Sequence, residues 1–247
     1  MAGALLAAAW IVVGIPALLL HNNMDMELFR LLNGWLGQSV IFDKVIDLAD
    51  SMIVKSVPFM VAFWGLWFWN PTNRAQTRNA LVAMLFLTVP LIGITRAIAD
   101  HAPFSHRPFH TEGLEMHLQE SVNTALLDGW SSMPSDHASL FMGLAVAFFC
   151  IHRVVGAFLV FWAMFLVSVP RIIVGFHWPS DIMVGWLLGV TIVILLLSPA
   201  TKIAERSGIV PYFEDREAIG YPLLFIATYE VARMFENIRK LIPDTLS

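Results

Sequence analysis

The chain has 247 residues, of which 57% are hydrophobic and only 14% charged, with a mean hydropathy of +0.70. Those values exclude an ordinary soluble domain and imply an integral membrane protein. A net charge of −4 supplies no basic stripe for nucleic acid, and the single cysteine, Cys150, excludes an intramolecular disulfide and a thiolate metal cluster.

Apolar runs near 3–20, 53–69, 80–99, 137–151, 154–175 and 181–198 predict six spans of an all-α transmembrane bundle. The first, "GALLAAAWIVVGIPALLL", follows no basic residue and precedes no small-residue cleavage site, so it reads as a retained helix and not a signal peptide. In the connecting segment 21–52, apolar positions three and four apart, interrupted by Gly34 and Gly37, predict one or two amphipathic helices in the interface. Residues 1–200 then form the membrane domain, and 201–247 a cytoplasmic amphipathic tail in which Leu224, Tyr229, Met234, Phe235 and Ile238 share a face. Arg74, Arg78, Arg153, Lys202 and Arg206 fall in alternate loops, which the positive-inside rule assigns to the cytoplasm. Both termini are therefore expected inside a plasma (inner) membrane, with 21–52, 100–136 and 171–180 facing outward.

Ionisable residues near membrane depth are costly, so each is a candidate for function. Arg107, fixed beside Pro108, offers a planar fork of donors suited to phosphate. In "SSMPSDHASL", Ser135 and Asp136 read as a helix N-cap, which leaves His137 unexplained in a first turn where amide donors favour an anion. In "PRIIVGFHWPSDIMVG", Arg171 ends an apolar span, and Asp181 lies four residues after His177, close enough to orient its ring if a helix begins near Pro179. A structural ion pair is the plainer account of the same residues. His101, His106, His110 and His117 lie among Glu112, Glu115, Glu120 and Asp128, yet without a tight metal-ligand spacing. Two arginines, a serine, a helix N-terminus and two histidines, one backed by a carboxylate, fit phosphoryl transfer.

These motifs resemble the type 2 phosphatidic acid phosphatase superfamily of membrane lipid phosphatases, whose signatures are Lys-x6-Arg-Pro, Pro-Ser-Gly-His and Ser-Arg-x5-His-x3-Asp. The likeness spans roughly residues 65–198. It implies that His177 attacks phosphorus to form a phosphohistidine, that Asp181 holds its imidazole and that His137 protonates the leaving group. It also implies that Arg107, Ser135 and Arg171 bind the phosphoryl oxygens, with no metal or cofactor. Three positions depart from the pattern: Asp100 replaces the lysine, Pro170 the serine and Asp136 the glycine. Arg96, further up the same predicted helix, is a candidate to replace the lysine at the phosphate, and Asp136 to contact the headgroup. "PSDH" also resembles bacterial polyprenyl-diphosphate phosphatases, which makes undecaprenyl diphosphate the expected membrane-lipid substrate. Phosphatidic acid or phosphatidylglycerol phosphate is the alternative. An anion or proton transporter would instead carry charges at several depths, and a catalytically silent relative would keep the fold alone.

Overall fold

Inside hydrocarbon every backbone N–H and C=O must find a partner within the protein, which is why long apolar runs fold as helices. The structure, a computed structural model, describes residues 3, 6, 7, 10, 14, 23–69, 72–119 and 122–239. Among these, in chain order, lie α1 (Asn23–Asn33), α2 (Val40–Asp50), α3 (Met52–Trp69), α4 (Arg74–His101), α5 (Asp136–Ile151) and α6 (Arg153–Ile173). They are followed by α7 (Pro179–Ser207), α8 (Ile209–Asp215), α9 (Glu217–Ala232) and α10 (Glu236–Arg239), with no strand among the described residues.

Among the described residues four helices, α3, α4, α6 and α7, are long and apolar enough to cross a membrane, against the six spans expected for the whole chain. The 16-residue α5 is shorter, at roughly 24 Å against about 30 Å of hydrocarbon. The expected span at 3–20 lies largely outside the described residues. Inside α6, Ala163–Ser168 is a π-helical stretch that ends just before Pro170. The wider turn absorbs a proline whose missing N–H and ring would otherwise break the helix.

α5 and α7 pack in parallel because glycines let their backbones meet. A Cβ on Gly185 would lie 2.8 Å from the Ser135 carbonyl oxygen, and one on Gly189 would overlap that of Ser139. Small residues four apart are the usual means of close approach between membrane helices. Both helices therefore begin at one end of the bundle, with their N-terminal amide donors side by side, and the Ser135 N–H donates to the Asp181 carbonyl at 3.2 Å. Below them Phe59, Phe63, Phe141, Phe148, Leu188 and Ile192 belong to one apolar core.

The interfacial segment does form two helices, and α1 is tied to the bundle end. Phe29 is fully buried edge-on against Trp178 at 5.4 Å. Asp25 accepts from the Ser180 N–H at 2.9 Å, and the Asn33 amide donates to the Ile173 carbonyl at 2.8 Å. Met24, Leu28 and Leu31 are exposed on the other side. At the far end, the boundary placed at residue 200 falls inside α7, which continues through Pro199 to Ser207. In α9, Leu224, Thr228 and Val231 are buried while Leu223, Phe225, Ile226 and Tyr229 are exposed, so apolar side chains point both inward and outward. Leu224, Val231 and Met234 join the main core, and Tyr229 does not share their face. The side chain of Ile238 is outside the described set.

Candidate active site

The ends of α2 to α7 converge with the 102–135 loop at one end of the bundle. Loop segments 105–107 and 131–135 are knitted together: the Ser132 N–H donates to the Ser105 carbonyl at 2.9 Å, and their hydroxyls are 2.6 Å apart. The Met133–Pro134 peptide bond is cis. Gly175, at φ +90°, makes the turn that returns the chain from α6 to α7. A side chain there would be strained, and its Cβ would meet Met116 at 2.5 Å. That turn places His177 against the loop.

His177 is 4% exposed, and its Nδ1 lies 2.9 Å from the Ser132 carbonyl oxygen. A carbonyl only accepts, so Nδ1 carries the proton and Nε2 keeps its lone pair. Asp181, fully buried, accepts from the Trp178 N–H at 2.7 Å and holds Oδ2 3.6 Å from His177 Nδ1. The expectation that Asp181 holds the imidazole is therefore modified: the carboxylate faces the ring at ion-pair distance, and the hydrogen bond belongs to Ser132. That carbonyl was missed because a main-chain acceptor carries no residue signature.

Arg107 is buried, with Nη1 donating to the Phe176 carbonyl at 2.8 Å and Nε unpartnered. Burial, and then the neighbouring Arg171, push its guanidinium down to about 10, still cationic at neutral pH. Arg171 lies over the Phe176 ring at 4.7 Å, pairs with Asp50 at 3.3 Å and leaves its Nε buried without a partner. Burial, followed by the fields of Arg107 and Arg171, holds the His177 imidazole well below the ordinary histidine range; the Ser132 bond opposes this. His177 is neutral at neutral pH.

Ser135 caps α5, but its Oγ accepts from the Ala138 N–H at a long 3.4 Å. Asp136 forms an ion pair with Arg96, whose guanidinium stacks over Trp130 at 4.5 Å. Asp100 is exposed near the end of α4. His137 is half-buried on the first turn of α5, in the field of Arg171, Lys55, His177 and Arg96. Every residue singled out from the motifs thus comes to one end of the bundle. The loop histidines do not converge: His110 bonds the Thr124 carbonyl at 2.7 Å and His101 the Ala97 carbonyl at 2.8 Å. Among the described residues no group of three or more His, Cys, Asp or Glu is close enough to hold a metal ion.

Two imidazoles thus lie among buried guanidiniums and two helix N-termini, an arrangement whose donors match the needs of a phosphoryl group. The family model of the PAP2 superfamily matches residues 102–203, the stretch that contains all of the motif residues from Arg107 to Asp181. Over that stretch the chain is similar to the PAP2 superfamily. The chain is 26% identical over 174 residues to "Putative undecaprenyl-diphosphatase YbjG" of Escherichia coli (strain K12), covering 68% of this chain and 78% of that protein. It is also 26% identical over 200 residues to "Bacitracin transport permease protein BcrC" of Bacillus licheniformis, covering 79% of this chain and 90% of that protein. No solved structure matches at a significant level.

Proposed function

We propose that this membrane protein hydrolyses a lipid diphosphate, with undecaprenyl diphosphate first among the candidates, through a phosphohistidine on His177. The observation that carries this reading is the His177 ring itself. Its Nδ1 is committed to Ser132, which leaves Nε2 as an unprotonated nucleophile between two buried arginines. Nε2 attacks the terminal phosphorus, and the bond from phosphorus to the bridging oxygen breaks. His137 supplies a proton to that departing oxygen, so lipid monophosphate is released. His137 then takes a proton from water, whose oxygen displaces the imidazole and frees inorganic phosphate. Arg107, Arg171, Ser135 and the α5 N-terminus bind the equatorial oxygens, and Asp181 faces the ring as it gains positive charge. Arg96 and Asp136 border the headgroup.

Exposed Ile53, Val57 and Val61 form a stripe along α3 below this end, apolar flank suited to a prenyl tail. The name of YbjG favours the diphosphate. The name of BcrC refers to transport, but the motif cations gather at one end and do not line a path through the bundle. Alternating loop charge supports a site on the outer membrane face with both termini in the cytoplasm.

The test is phosphate release from undecaprenyl diphosphate, phosphatidic acid and phosphatidylglycerol phosphate, with chelator present, by the wild-type protein and His177→Ala. Release should be fastest from the diphosphate, persist with chelator and fall by at least about 10³-fold in the variant. Phosphate release undiminished in His177→Ala would sink the mechanism, and a preference for phosphatidic acid would sink the substrate assignment.

A further inference from the structure

Lys55 belongs to none of the sequence motifs, yet it lies one turn into α3 at the same end of the bundle. It is 2% exposed, and its Nζ is 2.9 Å from Asp50 Oδ1. The same carboxylate oxygen accepts from Arg171 Nη1 at 3.3 Å. Two buried cations thus share one oxygen. Burial of a charge is expensive unless it is compensated, and a single carboxylate compensates only one of the two. The surplus positive charge, with the unpartnered Nε of Arg171 beside it, suits an arriving anion.

The surroundings of the two histidines indicate which part of that anion. Arg107 donates to the carbonyl of Phe176, next to His177, which puts it on the side of the nucleophile. Lys55 is tied through Asp50 to Arg171 and is among the charges that act on His137, which puts it toward the proton donor. In a diphosphate the phosphorus under attack lies against His177, and the second phosphate lies toward His137. When the bridging bond breaks, the electron pair goes to that second phosphate, whose charge rises unless a proton or a cation meets it. A monophosphate substrate places only an alcohol oxygen there.

We propose that Lys55 binds the phosphate that remains on the lipid, exchanging Asp50 for substrate, and thereby selects diphosphates over monophosphates. This rests on the reading of the site as a lipid phosphatase. Lys55→Met leaves the Asp50–Arg171 pair in place, so the end of the bundle keeps a balanced ion pair.

The experiment compares wild type, Lys55→Met, Lys55→Arg and the double variant Lys55→Met/Asp50→Asn, full-length and in detergent. It uses a prenyl diphosphate and the matching prenyl monophosphate, together with calorimetric binding of inorganic pyrophosphate and of inorganic phosphate. In Lys55→Met and in the double variant, kcat/KM for the diphosphate should fall about 100-fold while that for the monophosphate falls less than about fivefold. Pyrophosphate binding should weaken at least about tenfold with phosphate binding little changed, and Lys55→Arg should recover most of both. Equal losses on the two substrates, or pyrophosphate binding unaffected by Lys55→Met, would overturn the proposal. The binding arm needs no turnover, so it decides the role of Lys55 even if wild type released no phosphate from either lipid, a result that would instead count against the phosphatase reading.

Discussion

His177 Nδ1 has two acceptors nearby, and their distances separate their work. The Ser132 carbonyl at 2.9 Å fixes the tautomer, and the Asp181 carboxylate at 3.6 Å supplies negative charge opposite the ring. Asp181→Asn keeps an acceptor for the Trp178 N–H and removes only that charge, so kcat should fall roughly 10- to 100-fold with little change in melting temperature. A loss as deep as that of His177→Ala would show that Asp181, and not Ser132, sets the imidazole. The pH dependence follows from burial and the two arginines. A free imidazole gains its proton near pH 6.5, but His177 does so lower, so at neutral pH it is uncharged. The acid limb of kcat/KM assigned to His177 should therefore lie below about pH 6.5, and a limb above that value would contradict the burial argument. The same shift makes the unfolded chain bind a proton before the folded one does. Below about pH 6.5 the contribution of His177 to folding stability accordingly declines. The motif residues were readable from sequence because their chemistry is costly at a membrane surface. Lys55 was not, since a lone lysine early in an apolar run looks like an interfacial anchor until Asp50 and Arg171 are seen around it.

At the scale of helices, the position of the site depends on α5 and α7 touching through glycine. Their N-termini share one end only while the Ser135 and Ser139 carbonyls can approach Gly185 and Gly189. Gly189→Val should therefore destabilise the protein by at least about 3 kcal/mol, more than an ordinary overpacked core, because it strikes backbone that has no rotamer to yield. Thermal unfolding in detergent checks this, and a melting temperature within a degree or two of wild type would count against the packing argument. Four apolar runs were readable as spans because length and hydropathy are local properties. The docking of α1 was not, because its amphipathic spacing describes a face and does not say whether lipid or protein covers it. Phe29 and Asn33 meet partners more than eighty residues away. The tail misled for a related reason. Its charges suggested a polar face, but α9 carries only Glu217 and Glu230 among them, and Leu223, Phe225, Ile226 and Tyr229 are exposed on its outside.

Over the whole molecule, the two ends of the bundle differ in kind. One holds the histidines and their cations; at the other, Arg78 donates to the Trp67 carbonyl at 3.0 Å and ties α4 to α3. The native Cys150 is exposed at that second end. In intact cells, Leu118→Cys in a Cys150→Ser background should react with a membrane-impermeant maleimide, and Cys150 itself should not. The opposite pattern would place the site in the cytoplasm. The central claim is that His177 carries the phosphoryl group between two half-reactions. It is tested most directly by acid- and base-quenched single turnovers of lipid diphosphate labelled in its terminal phosphate, with His137→Ala used to slow hydrolysis of the intermediate. Label stable to base, labile to acid and localised to His177 is the predicted result, whereas turnover with no protein-bound label at His177 would contradict it.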